Sequence, residues 1–247
     1  MAGLPSYSTL GAKDVHVWRA SLDQTPTIVD QLRQFLSPDE LARAGRFHFE
    51  RDRRHFIVAR GYLRALLSLY LKMHPAEIDF VYGSNGKPQL GTSCSHKSLY
   101  FNLAHSEGVV IYALTRVGEI GIDLEHIRPE FTADEIANRF FSPREVSCLN
   151  AVADEQRAEA FFNCWTRKEA FIKAIGTGLS LPLNQFAVTL APGEPAQLLE
   201  TTWDEREASR WSIKSIDVGQ NYVAAVALAA KDWQIKYRDV DNTALAF

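Results

Sequence analysis

Three carboxylates and a lysine stand at spacings that suit phosphate chemistry. In Gly121-Ile122-Asp123-Leu124-Glu125 an extended chain puts Ile120, Ile122 and Leu124 on one face and Asp123 with Glu125 on the other. Two carboxylates side by side repel unless a proton or cation separates them, and oxygen ligands of this kind suit Mg²⁺. A bare Asp-x-Glu is common on solvated strand faces, so the pair alone decides nothing. Further along, Trp165, Glu169 and Lys173 recur every four residues and share one stripe of a helix. Glu169 ahead of Lys173 is also the favourable orientation of an ordinary surface ion pair, worth about 0.2–0.5 kcal/mol. The setting argues for more. Phe161, Phe162, Cys164, Ala170, Phe171 and Ile172 make this helix apolar around most of its circumference, and charges on such a helix need partners.

A strand bearing two carboxylates and a buried helix bearing a third, with a lysine one turn on, fit metal-assisted chemistry on phosphate esters. A metal would clamp phosphate oxygens and Lys173 would stabilise charge on the transferring or leaving group. Two chemistries meet this description: transfer of a phosphate-linked group, and nuclease cleavage, which also uses acids followed by Glu-x-Lys. Here the lysine is helical and four residues after Glu169, and the chain carries a formal net charge of −3. Both weigh against a nuclease, because no overall positive field is present to hold a polyanion.

The elements that must position these residues are marked twice over. Ser37-Pro38-Asp39-Glu40 and Ser142-Pro143-Arg144-Glu145 each supply a capping serine, a proline at the first helical position and a glutamate that reaches back to the cap. The two starts are 105 residues apart, and at that offset Glu50, Phe56 and Ala65 meet Glu155, Phe161 and Ala170. With the offset loosened, Phe80 falls on Phe186 and Gly86-Lys87-Pro88 on Gly193-Glu194-Pro195. This is the pattern of a duplication. Each half reads as helix, helix, strand, turn and strands. Phe56 to Leu71 is a largely buried helix, Ile78 to Tyr82 a strand and Ser84-Asn85-Gly86 a turn. Val109–Thr115 and Glu119–Glu125 read as a hairpin across Arg116-Val117-Gly118. In the second half a helix over 155–175 ends at Gly176, and strands follow near Phe186–Leu190, Trp211–Ile216 and Tyr222–Ala229. The fold class expected is α+β, with the halves meeting around residues 120–130.

Composition sets the frame. The 247 residues are 46% hydrophobic and 23% charged, an ordinary globular balance with a substantial core. Cys94, Cys148 and Cys164 are odd in number and widely spaced, which fits reduced thiols and a cytoplasmic protein. Lys13, Asp14, His16 and Arg19 leave the first twenty residues without the apolar core of a signal peptide. The longest strongly apolar run, Tyr222–Ala230, falls far short of the roughly 20 residues of a membrane helix.

The sequence resembles the Sfp-type 4′-phosphopantetheinyl transferases, whose signatures look like Gly-Ile-Asp-x-Glu and Trp-x-x-Lys-Glu-Ala-x-x-Lys-x-x-Gly-x-Gly-Leu. This chain has Gly121 to Glu125 for the first and Trp165-Thr166-Arg167-Lys168-Glu169-Ala170, continuing through Lys173 and Gly176 to Gly178-Leu179, for the second. Gly86-Lys87-Pro88 and Phe101-Asn102-Leu103-Ala104-His105-Ser106 resemble further family segments, so the likeness spans roughly residues 35–190. The resemblance implies two similar subdomains related by a pseudo-two-fold axis, here 1–122 and 123–247, with coenzyme A and Mg²⁺ in the cleft between them. It implies that Asp123, Glu125 and Glu169 hold the metal. Glu169, directly or through water, would take the proton of the attacking serine of an acyl, polyketide or peptidyl carrier protein, and Lys173 would favour departure of 3′,5′-ADP. Gly86, Lys87 and Pro88 would contact adenine, His105 the 3′-phosphate region, and Asn102 and Lys168 would complete the coenzyme A contacts. Of the basic cluster Arg51, Arg53 and Arg54, Arg53 is the expected 3′-phosphate ligand. The family commonly has serine before the histidine where this chain has Ala104, a lost bond worth about 1 kcal/mol of coenzyme A affinity. A duplicated chain builds internally what single-copy relatives need another subunit to build, so a monomer is expected. The competing readings are an Mg²⁺-dependent nuclease and a non-catalytic coenzyme A or carrier-docking module.

Overall fold

Both capping boxes form. In the computed structural model, which describes residues 9–242 apart from 84, 93, 95–97, 129, 132 and 133, with the backbone alone at 179, Ser37 and Ser142 take the extended N-cap conformation. Glu40 and Glu145 accept the cap N–H at 3.1 and 2.7 Å. Ser84 of the expected turn lies outside the described residues. The first half runs β1 (Asp14–Ser21), α1 (Pro26–Arg33), α2 (Pro38–Ala44), α3 (Glu50–Leu71), β2 (Phe80–Tyr82), β3 (Pro88–Leu90), β4 (Tyr100–Ser106) and β5 (Val109–Thr115). The chain continues as β6 (Ile120–His126), α4 (Asp134–Phe140), α5 (Pro143–Ala151), α6 (Asp154–Ile175), β7 (Phe186–Val188), β8 (Leu198–Thr201) and α7 (Glu207–Arg210). It closes with β9 (Ser212–Ile216), β10 (Tyr222–Leu228) and β11 (Gln234–Asp239). The class is α+β.

Two sheets, ordered β11-β1-β5-β4 and β6-β10-β9, carry the architecture. Strand alternation sends Val110, Tyr112 and Leu114 of β5 into a core with α3. Ile111 and Ala113 point the other way, into a core shared with Ile122 and Leu124 of β6 and Val226 of β10. The far face of the second sheet, through Ala225 and Ala227, joins Phe161, Phe171 and Ala174 of α6. The layers are therefore helix, sheet, sheet, helix.

The expected hairpin between β5 and β6 does not form. β5 already has β1 on one edge and β4 on the other, and a strand has only two edges to pair. The chain instead crosses over 116–119 into the second sheet, where β6 pairs with β10. β11 returns to the first half and pairs in parallel with β1, with Lys236 and Gln234 on the Asp14 carboxylate at 2.6 and 2.9 Å. β1 gives no alternating signal because both its faces are covered from Asp14 to Arg19's neighbour Trp18.

The duplication is written in a buried ion pair. Arg64 of α3 pairs with the capping-box Glu40 at 2.6 Å and donates to the carbonyls of Pro75 and Ile78 at 3.1 and 2.9 Å. Lys168 of α6 pairs with the capping-box Glu145 at 2.8 Å and donates to the carbonyls of Leu183 and Phe186 at 2.8 and 2.6 Å. In both halves one cation thus staples the long helix to its capping box and to the chain entering the next strand. Among the described residues no helix is long and apolar enough to cross a membrane.

Candidate active site

Gly121 sets the geometry. A Cβ there would lie 2.0 Å from the Ala170 carbonyl oxygen and 2.4 Å from the Ala174 nitrogen, so only glycine lets β6 lie directly on α6. Two residues later Asp123 faces the same helix, and Lys173 Nζ donates to Asp123 Oδ1 at 2.6 Å and to the Ile122 carbonyl at 3.3 Å. Asp123 is 6% exposed, and its second oxygen, Oδ2, is buried without a hydrogen-bond partner. Glu125 accepts from Ser106 Oγ at 3.3 Å, and the same hydroxyl accepts the His126 N–H at 3.1 Å.

The three carboxylates share one electrostatic environment. Burial raises the Asp123 pKa, and the Lys173 ammonium pulls against it. Glu125 is raised by burial and then by the charge of Asp123. Glu169 is pushed up to about 7, chiefly by burial and then by Asp123, with Lys173 opposing and Glu125 adding. His105 stands at the mouth of the cleft with part of its surface open. The walls around it lower its pKa, and the Lys173 ammonium lowers it further. Asp123, Glu125, Glu169, Lys173 and His105 are therefore one cluster at the seam of the two halves. Among the described residues no three acidic, imidazole or thiol side chains are grouped closely enough to hold a metal as they stand. The chemistry of the donor set still fits a hard dication: three carboxylates whose ionised forms are disfavoured, one with an unpartnered buried oxygen.

Beside the cluster lies a cavity of about 470 Å³ walled by Arg43, Arg51, His55, Arg60, Tyr82 and His105, with Gly86 at its edge. Arg60 pairs with Glu40 at 3.0 Å and donates to the Tyr82 hydroxyl. Arg51 lies 3.9 Å from Glu107.

Three residues expected to contact coenzyme A do not line this cavity. Arg53 pairs with Glu50 and lines a different groove with Arg33 and Arg54, because two residues along a helix turn the side chain away from Arg51. Lys168 is fully buried, and its three donors are spent on Glu145 and two carbonyls. Asn102 is 4% exposed and accepts the Ile122 N–H at 2.9 Å, fastening β4 to β6 on the strand face opposite His105. Pro88 is buried in β3 opposite Tyr82, and Lys87 pairs with Glu119 at 3.1 Å. Trp165 packs on Phe140 and Phe161 and supports the helix. Ser106 was not expected in the site, although its place one residue past His105, level with the end of β6, was there to be weighed. Ala104 is buried in the core between the sheets.

A family model described as "4′-phosphopantetheinyl transferase superfamily" matches residues 119–227, and one described as "4′-phosphopantetheinyl transferase, N-terminal" matches 17–116. The chain is 42% identical over 233 residues to the 4′-phosphopantetheinyl transferase HetI of Nostoc sp., covering 94% of this chain and 95% of that one. It is 32% identical over 204 residues to the 4′-phosphopantetheinyl transferase Sfp of Bacillus subtilis, covering 83% and 87%. It is 27% identical over 222 residues to the human L-aminoadipate-semialdehyde dehydrogenase-phosphopantetheinyl transferase, covering 84% and 71%.

Proposed function

Because the chain belongs to the 4′-phosphopantetheinyl transferase superfamily, we infer that the seam cluster is where it transfers 4′-phosphopantetheine to a carrier protein. The observation that carries this reading is Asp123 held against Lys173 at 2.6 Å beside Glu125 and Glu169, where β6 lies on α6 through Gly121.

Coenzyme A is the donor in this reading. Its 3′-phosphoadenosine end fits the arginine-lined cavity, with Arg51 and His105 toward the 3′-phosphate, Arg51 replacing Arg53, and the Gly86 backbone along the adenine. Asp123, Glu125 and Glu169 are the residues to hold Mg²⁺, which when bound supplies neutralising charge for the pyrophosphate. Lys173 extends from Asp123 toward the same pyrophosphate and stabilises charge on the departing phosphate. The carrier serine Oγ forms a bond to the phosphorus that bears pantetheine, its proton passes to Glu169 directly or through water, and the bond to 3′,5′-ADP breaks. Burial pushes the Glu169 carboxyl up to about 7 in the metal-free protein, and its ionised form, the one that accepts the proton, is favoured beside bound Mg²⁺. Ser106 holds Glu125 in place.

The nuclease and the non-catalytic module gain no support from relatives named as transferases. Three cysteines without a disulfide among the described residues fit a reducing compartment, and the duplicated halves fit a monomer. Incubation of an apo carrier protein with coenzyme A and Mg²⁺, read by intact mass, tests the function. A gain of one phosphopantetheine is the expected result, and no gain on any of several carriers contradicts it.

A further inference from the structure

The turn between β2 and β3 belongs to the first half, yet it grips α6 of the second half and the start of β6 at the seam. Asn85 Nδ2 donates to the Gly176 carbonyl at 3.0 Å. Lys87 Nζ donates to the Ile120 carbonyl at 3.1 Å while it pairs with Glu119. Gly176 is the left-handed cap of α6, with φ 82°, just past Lys173, and Ile120 opens β6, just before Asp123. One turn therefore holds the ends of both elements that form the acid cluster. Between its anchors Gly86, with φ 73°, lines the arginine-walled cavity.

Gly178 bears the imprint of this contact. Its φ is 56°, and a Cβ there would lie 2.8 Å from Asn85 Cγ. The second glycine of Gly176-Thr177-Gly178 thus admits a side chain from the other half of the molecule. The Asn85 amide in turn supplies a donor to a carbonyl at the helix end, where intrahelical donors run out.

We propose that Asn85 is a positioning residue, a clasp that locks the nucleotide-side turn onto the cap of α6 and so fixes the spacing between the two ends of bound coenzyme A. The proposal rests on the reading of the cavity as the nucleotide site. Lys173 and Glu169 can act only on a phosphorus placed in line with them, and a shift of the turn against α6 moves that phosphorus while leaving the adenosine end bound. An exposed, neutral hydrogen bond adds little to global stability, so the clasp's effect is on alignment.

The test compares wild type, Asn85→Ala, Gly178→Ala and the double variant in carrier modification. Asn85→Ala lowers kcat about tenfold with Tm and 3′-AMP affinity unchanged, since that nucleotide lacks the 5′-phosphate and needs only the first-half cavity. Gly178→Ala expels Asn85 from the other side, so adding Asn85→Ala to it brings no further loss, a non-additive pair. Hydrogen exchange over 83–88 and 174–180 is read in parallel without any carrier, and Asn85→Ala speeds both segments. Wild-type kcat in Asn85→Ala, an additive double variant, or unchanged exchange overturns the clasp. A wild-type protein that modifies no carrier overturns the functional reading instead, and the exchange data then judge the clasp alone.

Discussion

Asp123 has two oxygens with different fates: one is met by Lys173 at 2.6 Å and the other is buried without a partner. An acid cluster in this state stores charge that ordinary folding avoids. For Glu169 the folded pKa of about 7 exceeds the ordinary 4.5, so the folded state holds the proton more tightly. Stability then falls as pH rises through that window and the deficit is complete above it. Glu169→Gln cannot ionise, so without divalent cation at pH 8 it melts at a higher temperature than wild type in a thermal scan. Its transfer rate drops by about 100-fold or more. His16 gives the opposite slope at a site remote from the chemistry. Fully buried against Tyr70 at 2.8 Å, its pKa falls to about 4, first through burial and then through the Arg238 charge. The unfolded chain binds the proton first, so stability is lost as pH falls from 6.5 toward 4. His16→Asn flattens that part of a denaturant-midpoint profile against pH. Asp14, whose pKa lies at about 2, acts only below this window. The acids and Lys173 were legible as motifs because they recur at strand and helix spacings. Arg53 and Asn102 stand apart from the cavity for the same spacing reasons: Arg51 and His55 lie one turn apart on the cavity side of α3, and Asn102 alternates away from His105.

At the scale of elements, the site depends on how closely β6 and α6 approach. Gly121→Ala forces a Cβ into the Ala170 carbonyl, and we expect a loss of about 3 kcal/mol or more in chemical denaturation, with transfer abolished. Lys168 tests a different kind of contact. Lys168→Met leaves Glu145 buried and unpaired, at a cost of about 3–5 kcal/mol. The KM for coenzyme A of the folded fraction stays at the wild-type value, whereas a nucleotide ligand would raise it. The helices and their caps were legible because each is signalled locally by serine, proline and glutamate. The sheet pairing was not, since a glycine-containing link between two β-rich segments reads as a hairpin. Only the occupation of both edges of β5 by β1 and β4 excludes it. β1 and β11 escaped notice because one is covered on both faces and the other reads as polar.

The whole molecule is a duplicated unit whose halves have diverged in role. Arg64 with Glu40 and Lys168 with Glu145 keep the shared scaffold, while α6 bears Glu169 and Lys173 where α3, with Arg64 set against Lys168, has Ala65 and Leu69. The first half supplies the arginine-walled cavity and the second the acids, with Asn85, Lys87 and Asn102 fastening one to the other. β11 adds a hydrogen-bonded tie by returning to the first sheet beside β1. The seam was legible in the sequence as the place where the two halves meet. Its fasteners were not, because each is a side chain reaching a backbone atom far along the chain. The central claim is that transfer occurs at this seam and through Asp123. Its most direct test is a single-turnover time course of carrier modification, read by intact mass at saturating coenzyme A and Mg²⁺, for wild type and Asp123→Ala. Wild type converts the carrier, and the folded variant is slower by about 100-fold or more. An Asp123→Ala protein that modifies the carrier at the wild-type rate contradicts it.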